Sequence, residues 1–241
     1  MSTNRTIRTI CMLAAFGLPS LLGKTAQPVL QRPEPQGAQR GTEVEIACFG
    51  QRLKDGPHQI LLYEAGIQLG EIEVVNDKQV KCKLRLEDDC RIGRHALRLR
   101  TASGLSNLFT FHVGNLKEIQ EAEPNDSAEK PQALDTNVVV NGLVKDRDCD
   151  YYAVDLTEGE RLSVEIEGIR MGRTLFDPLI EVRDEAGTLL ASCDDQPAAQ
   201  QDAFISLRAK QAGRVTILVR ESAFRGSDAA TYRLHVGRFP R

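Results

Sequence analysis

The sequence contains few of the side chains that catalysis and small-molecule binding usually require. There is no Trp among its 241 residues, aromatic residues make up 5%, and only 4 His occur. It also lacks the motifs of common enzymes, namely Gly-x-Ser-x-Gly, His-Glu-x-x-His, a glycine-rich phosphate loop and Cys-x-x-Cys. We therefore expect a protein that is not an enzyme.

A membrane-spanning run is also missing. The apolar segment Ile10 to Leu22 has about 13 residues, whereas a transmembrane helix needs about 20. Arg5 and Arg8 precede it without an acidic residue, which is the order of a secretory signal peptide. We predict a signal peptide at 1–26, no membrane span after its removal, and a protein that is secreted, periplasmic or located at the cell surface.

Charge is divided unevenly along the rest of the chain. Without the signal, 28 basic and 34 acidic residues remain, which gives a net charge of −6. Residues 40–114 carry +1 and residues 117–241 carry −7, and this shift predicts two domains with different surfaces. The expected organisation is a linker at 27–39, a first domain at 40–114, a linker at 115–122 and a second domain at 123–239.

Short segments of alternating apolar and polar residues, separated by turn residues, follow one another throughout both domains. In the first domain they are Glu43 to Phe49, Gln59 to Tyr63, Gln79 to Leu86, His95 to Arg100 and Leu108 to Val113. In the second they are Asp150 to Leu156, Arg161 to Ile166, Leu179 to Arg183, Leu189 to Ser192, Phe204 to Leu207, Arg214 to Arg220 and Tyr232 to Val236. The predicted fold is all-β, with two antiparallel β-sandwich domains, the first Ig-like and the second jelly-roll-like.

Several motifs follow in order along the first domain: Pro35 to Gly37, Arg40 to Val44, Phe49 to Leu53, Ile92 to His95 and Phe109 to Val113. With them, the domain resembles the immunoglobulin-like IPT/TIG domains over about 80 residues. The resemblance implies a spacer or binding module and supplies no catalytic residue.

The second domain contains a longer ordered series: Glu123 to Ser127, Asp148 to Tyr152, Phe176 to Pro178, Asp194-Asp195 and Tyr232 to Val236. With it, residues 117–239 resemble the bacterial pre-peptidase C-terminal domain. Members of that family occur beside secreted peptidases, and some relatives bind calcium, collagen or polysaccharide. The resemblance implies a sandwich attached to an exported protein.

Carboxylate and amide side chains are concentrated in the loops of the second domain. The candidate metal ligands are Glu123, Asn125, Asp126, Asp146, Asp148, Asp150, Asp194 and Asp195. Calcium takes six to eight oxygen ligands from flexible loops, so a structural Ca²⁺ fits this composition. Asp146, Asp148 and Asp150 alternate, which would direct them to one side of a strand. The alternative interpretation is that all are solvated turn and strand-edge carboxylates.

Five Cys follow the signal peptide, an odd number for an oxidising compartment. Cys48 and Cys82 share the apolar phase of their strands and form one candidate disulfide. Cys149 and Cys193 adjoin acidic loops and form another, which would connect two of the proposed metal loops. Free thiols are the alternative for each pair, and Cys90 is expected to be exposed and unpaired.

Lys81, Lys83 and Arg85 share one face of a strand and suggest a site for an acidic or sulfated polysaccharide. The alternative is that these residues, with Arg98 and Arg100 on another strand, form the solvated face of two edge strands. Nucleic acid is not expected as a partner, because the chain is acidic and lacks aromatics between its basic residues.

The predicted function is that of a secreted, non-catalytic binding or adhesion module, stabilised by calcium, that recognises extracellular polysaccharide or protein. The alternative is an N-terminal accessory region of a larger secreted hydrolase, a peptidase or glycosidase, that positions or assists its catalytic domain.

Overall fold

The structure is a computed structural model that describes residues 26–56 and 58–239. Within these residues it contains 19 β-strands, two short 3-10 helices (Ile169–Met171 and Pro197–Ala199) and no α-helix. The predicted all-β class with antiparallel sandwiches is therefore confirmed. Residues 1–25 of the predicted signal peptide lie outside the described residues. In the described part, none of the helices has the length and apolar composition to cross a membrane.

The first sandwich consists of two sheets around one apolar core. Its strands are β1 (Val29–Glu34), β2 (Gly37–Gln39), β3 (Glu43–Gln51), β4 (Gln59–Leu62), β5 (Ile67–Asn76), β6 (Gln79–Leu86), β7 (Gly93–Thr101), β8 (Gly104–Leu105) and β9 (Phe109–Gly114). One sheet has the order β1-β3-β6-β5, and the other has the order β2-β9-β7-β4 with β8 beside β7. All pairs are antiparallel except the parallel pair of β2 with β9.

The second sandwich has five strands in each sheet and its own core. Its strands are β10 (Lys117–Gln120), β11 (Gln132–Ala133), β12 (Val138–Leu143), β13 (Asp150–Leu156), β14 (Arg161–Glu167), β15 (Pro178–Asp184), β16 (Leu189–Cys193), β17 (Phe204–Arg208), β18 (Gly213–Glu221) and β19 (Thr231–Gly237). The sheet orders are β10-β12-β19-β14-β17 and β11-β13-β18-β15-β16. β10 and β11 join their neighbours in parallel, and the remaining pairs are antiparallel.

Two segments expected as linkers belong to the sandwiches. Residues 27–39 contain β1 and β2, which pair with β3 and β9. β1 contains Pro33, which has no backbone N–H. Such a residue is tolerated because β1 is an edge strand. Residues 115–122 contain β10, which pairs with β12. Both linker predictions are therefore wrong.

The two sandwiches contact each other through polar groups. Asn141 on β12 accepts a hydrogen bond from the Gln36 backbone N–H at 3.2 Å. The Nδ1 atom of His112, on β9, lies 3.6 Å from Glu167 Oε2, at the end of β14. β12 is therefore covered on both faces, by its own core and by the first sandwich, and residues 138–142 are all buried.

Candidate functional site

Acidic side chains from three parts of the second sandwich meet at one end of its sheets. Glu121, Glu123 and Asp126 follow β10 along the chain. Asp148 lies in the turn before β13, and Asp150 is the first residue of β13. The parallel pairing of β10 with β12 brings the 121–126 segment beside this turn. A hydrogen bond also holds it there, in which the Asn125 carbonyl accepts the Tyr151 N–H at 2.9 Å.

The carboxylates form two overlapping groups that share Glu123. Glu121, Glu123 and Asp150 make one group, and Glu123, Asp126 and Asp148 make the other. Within each group, one carboxylate oxygen per residue lies within 4.8 Å of the others. Four of the predicted ligands therefore converge, together with Glu121, which the sequence interpretation did not include.

Two buried tyrosines form the inner wall of this acidic cluster. The hydroxyl of Tyr152 donates to Glu121 Oε1 at 2.7 Å, and the hydroxyl of Tyr232 donates to Asp150 Oδ2 at 2.6 Å. The two hydroxyls also contact each other. Both side chains are fully buried. Tyr152 lies on β13 and Tyr232 on β19. Their hydrogen bonds therefore hold Glu121 and Asp150 in place from the core of the sandwich.

Gly142 makes room for this arrangement. The register of β12 with β19 places Gly142 opposite Tyr232. A Cβ atom at position 142 would overlap the Tyr232 ring, with Cε1 only 2.7 Å away. Glycine is therefore required here for the ring to lie across β12 and reach Asp150.

The carboxylates of the cluster repel one another in a partly dry environment. Burial, together with the nearby charge of Glu121, raises the pKa of Asp150 to about 9. Burial also raises the pKa of Glu123, with further contributions from Glu121, Asp148 and Asp126. Such shifts indicate a surplus of negative charge that a bound cation would neutralise.

Two buried oxygen atoms of the cluster lack a hydrogen-bond donor among the described residues. They are Oδ1 of Asn125 and Oδ1 of Asp150, both on fully buried residues. Buried polar atoms are normally paired, and an unpaired one indicates an unseen ion or water. A set of carboxylate and amide oxygens is the donor type that Ca²⁺ prefers, so the residues present fit a calcium ion.

The other predicted ligands do not join the cluster. Asp146 and Asp148 lie in a turn that ends before β13 begins, so the prediction that they share one strand face with Asp150 is wrong. Asp194 and Asp195 follow β16, which is three strand positions from β13, roughly 14 Å at the usual spacing. In the part of the chain described, neither carboxylate group includes Asp146, Asp194 or Asp195.

All five cysteines of the described chain are free thiols. Asp150, Val219, Ile180 and Cys193 are successive partners across β13, β18, β15 and β16. Two strands therefore lie between Cys193 and Cys149, which immediately precedes β13. Their distance exceeds the reach of a disulfide, so that predicted bridge is wrong. Cys48 and Cys82 are diagonal neighbours on β3 and β6 and are also unbridged. Burial raises the pKa of Cys48 to about 12, as expected for an inert core thiol.

Cys90 is buried, which corrects the expectation that it is exposed. Its Sγ lies 3.9 Å from His95 Nε2, and His95 Nδ1 lies 3.7 Å from Glu64, which outlines a Cys-His-Glu arrangement. However, His95 Nε2 also lies 2.6 Å from the Arg91 carbonyl and must carry its proton to bond it. Burial raises the pKa of the Cys90 thiol. The histidine is therefore not placed to take the thiol proton, and the arrangement is structural.

The outer face of β6 carries Lys81, Lys83 and Arg85, as predicted, but acidic residues lie opposite them. Glu45 and Glu43 on β3 are opposite Lys83 and Arg85. Lys81 Nζ also lies 3.3 Å from Glu45. This face has mixed charge, so an anionic polymer would meet carboxylates as well as ammonium groups.

The sequence matches no protein-family model and is similar to no curated protein. Among solved structures, the chain is similar to the pre-peptidase C-terminal domain of a Bacillus anthracis collagenase, with 14% identity over 46% of this chain and 99% of that one, at a TM-score of 0.36. It is also similar to PliG of Aeromonas hydrophila, a periplasmic inhibitor of g-type lysozyme (13% identity, 49% and 93% covered, TM-score 0.28).

A third similar structure is the SGBP-B protein of a Bacteroides ovatus mixed-linkage glucan utilization locus, in complex with a heptasaccharide. Identity is 9%, over 77% of this chain and 71% of that one, at a TM-score of 0.25. These similarities are too distant to assign a function. The functional argument therefore depends on the geometry of the acidic cluster.

Proposed function

We propose that this protein is an extracellular, non-catalytic binding module whose second sandwich, of the pre-peptidase C-terminal type, is stabilised by a calcium ion. The observation that supports this is the convergence of four carboxylates on Glu123, with an unpaired buried oxygen on Asp150 and another on Asn125. The signal peptide would export the chain, and the IPT/TIG-like first sandwich would serve as a spacer or second binding surface.

The proposed ion has a structural role. Glu123 and Asp126 belong to the irregular segment after β10, whereas Asp148 and Asp150 belong to the turn and strand that follow β12. A cation bound by both would connect the segment to the sandwich and offset their mutual repulsion. Calcium suits this position because it accepts flexible, irregular sets of six to eight oxygens, whereas Mg²⁺ demands a near-ideal octahedron.

A role without catalysis agrees with how the histidines are used. Burial and the nearby charge of Arg233 lower the pKa of His112 to about 3, so it remains neutral at the domain contact. His95 is bonded to a backbone carbonyl. The activity that we propose for the module is recognition of extracellular polysaccharide or protein.

Calcium binding can be tested by thermal unfolding of the signal-free chain in EDTA and at increasing Ca²⁺. A ligand at 100 times its Kd stabilises the folded state by about 2.7 kcal/mol, which raises Tm by roughly 5–10 °C for a chain of this size. Glu123→Gln should abolish most of this rise because Glu123 belongs to both carboxylate groups. Glu129→Gln, an exposed residue of the same segment, is the matched control.

No change in Tm at millimolar Ca²⁺ would contradict the proposal, as would an equal rise in the Glu123→Gln variant. An equal response to Mg²⁺ would show that the site does not select the larger ion. The binding role is tested separately by retention of the calcium-loaded protein on insoluble polysaccharides and on collagen. Absence from every bound fraction would count against an adhesive function.

A further inference from the structure

A cleft of about 760 Å³ lies between the two sandwiches. Its first wall comes from β1 and from β7 and β9, and includes Arg32 and Arg94. Its second wall comes from the 3-10 segment after β14 and includes Arg170 and Arg173. Asp228 is the one acidic residue among the residues that line the cleft in the described part of the chain. An acidic protein therefore concentrates four arginines at the junction of its domains.

Two of the four arginines have carboxylate partners. Arg32 pairs with Glu34 at 2.8 Å, and Arg170 pairs with Asp202 at 2.6 Å. Neither Arg94 nor Arg173 has a carboxylate oxygen within 4.0 Å among the residues that the structure describes. Within the described residues, two guanidinium groups of the cleft thus have no carboxylate in contact, although Arg94 Nη1 donates to the Arg170 carbonyl at 3.3 Å.

Arg173 is the less satisfied of the two. Its Nη1 donates to Thr231 Oγ1 at 3.2 Å, and its guanidinium lies 4.5 Å from the centre of the Phe109 ring. Its Nε and Nη2 are buried and have no hydrogen-bond acceptor in residues 26–56 or 58–239. Burial, with the charges of Arg233 and Arg32 nearby, lowers its pKa to about 9. A buried guanidinium without an anionic partner is costly, and an anionic group bound in the cleft would offset this cost.

The backbone that presents Arg173 is held in place. Asp202 is fully buried and accepts the N–H groups of Gly168 and Ile169 at 2.8 Å each. It also accepts the Arg170 guanidinium. The segment that precedes Arg173 is therefore fixed before any ligand arrives, and this lowers the entropic cost of binding.

We propose that this cleft binds a small acidic ligand, whose carboxylate or sulfate group is received by Arg173 and Arg94. The two arginines come from different sandwiches, so the ligand contacts both domains. Because Nε and Nη2 of Arg173 are buried, binding through these two atoms requires the guanidinium to turn about its side-chain bonds toward the cleft. The volume suits a ligand of sugar-acid size. This site is separate from the acidic cluster, and its occupancy does not depend on calcium.

The test measures thermal unfolding and calorimetric binding with three probes: sodium sulfate, sodium glucuronate and neutral glucose. Sodium chloride keeps the ionic strength constant, because sulfate at high concentration stabilises proteins without a site. Arg173→Met and Arg94→Gln remove the proposed contacts. Arg100→Gln, an exposed arginine on the same strand as Arg94, is the matched control.

We expect sulfate or glucuronate, but not glucose, to raise the Tm of the wild-type protein and the Arg100→Gln variant at low millimolar concentration. Arg173→Met should weaken binding at least about tenfold, since a charge-assisted hydrogen bond is lost. The same variant should lose little stability without ligand, because removal of a buried charge without a carboxylate partner offsets the lost contacts with Thr231 and Phe109. This second readout distinguishes a lost site from a misfolded protein.

Sulfate binding without glucuronate binding would support an oxyanion site and restrict its ligands to inorganic ions or sulfate esters. Glucuronate binding would extend the site to sugar carboxylates. The proposal is overturned if neither anion binds, if glucose binds as well as glucuronate, or if Arg173→Met retains wild-type affinity.

Discussion

Arg233→Gln should destabilise the protein far more than the loss of an exposed ion pair. Arg233 lies on β19 with only 3% of its surface exposed. Its Nη1 donates to Glu167 Oε2 at 2.6 Å, and its Nη2 contacts Glu118. Removing the cation takes the guanidinium partner from both carboxylates, and leaves Glu118 with the Asn141 amide at 2.6 Å and Glu167 with the His235 ring at 3.3 Å.

The magnitude follows from how dry the site is. Breaking a buried ion pair by removing one partner typically costs 3–5 kcal/mol, because the remaining charge is not solvated. We take about 4 kcal/mol for Arg233→Gln, which lowers Tm by roughly 8–16 °C. Arg214→Gln is the control. Its pairing with Asp155 at 3.0 Å is largely exposed, and such pairs contribute about 0–1 kcal/mol.

Urea unfolding at pH 7 and low salt measures both variants against the wild type. Although burial raises the pKa of Glu167, the His235 hydrogen bond and the Arg233 charge hold it below its ordinary value, so Glu167 takes up a proton more readily without Arg233. The loss in Arg233→Gln should therefore shrink at lower pH, while the control should change little. Equal losses in the two variants, or a loss below about 1 kcal/mol in Arg233→Gln, would refute the reasoning that burial determines the effect.

Two further predictions concern pH and thiols. The pKa of His112 is about 3 in the folded state, below its ordinary value of 6.5, so the unfolded chain binds more protons between these limits. Stability should therefore fall as pH drops through this window, by at most about 1.4 kcal/mol per unit, and His112→Gln should flatten the slope; parallel slopes would contradict this. Thiol titration of the signal-free chain in denaturant without reductant should give five free thiols, with Cys48 and Cys90 unreactive in the native state. Fewer than five would indicate a disulfide.

The strands that alternate in hydrophobicity were predictable, because one of their faces is buried and the other exposed. The segments proposed for β3, β6 and β13 match the structure to within two residues. β5 was missed because it is a mostly exposed edge strand in which two register shifts interrupt the alternation of its apolar residues. β12 was missed because both of its faces are covered, which gives a continuous run of valines instead of an alternating pattern.

The acidic cluster was predictable only in part. Glu123, Asp126 and Asp148 are close in sequence to loop signals, and their residue types suggest metal chemistry. Glu121 and the two tyrosines come together only through the pairing of β10, β12 and β19, which composition does not reveal. The arginine cleft depends on the packing of two domains and on side chains from distant segments, so no local sequence pattern predicts it.

The glycine at position 142 also constrains how this sequence can evolve. The Tyr232 ring occupies the volume that any Cβ at position 142 would need. The two positions are 90 residues apart in the chain but are not free to vary independently. A lineage that replaced the glycine would first have to shorten the tyrosine, and would thereby lose the hydroxyl that bonds Asp150. A side chain at position 142 should therefore be found only in relatives that lack the tyrosine at position 232.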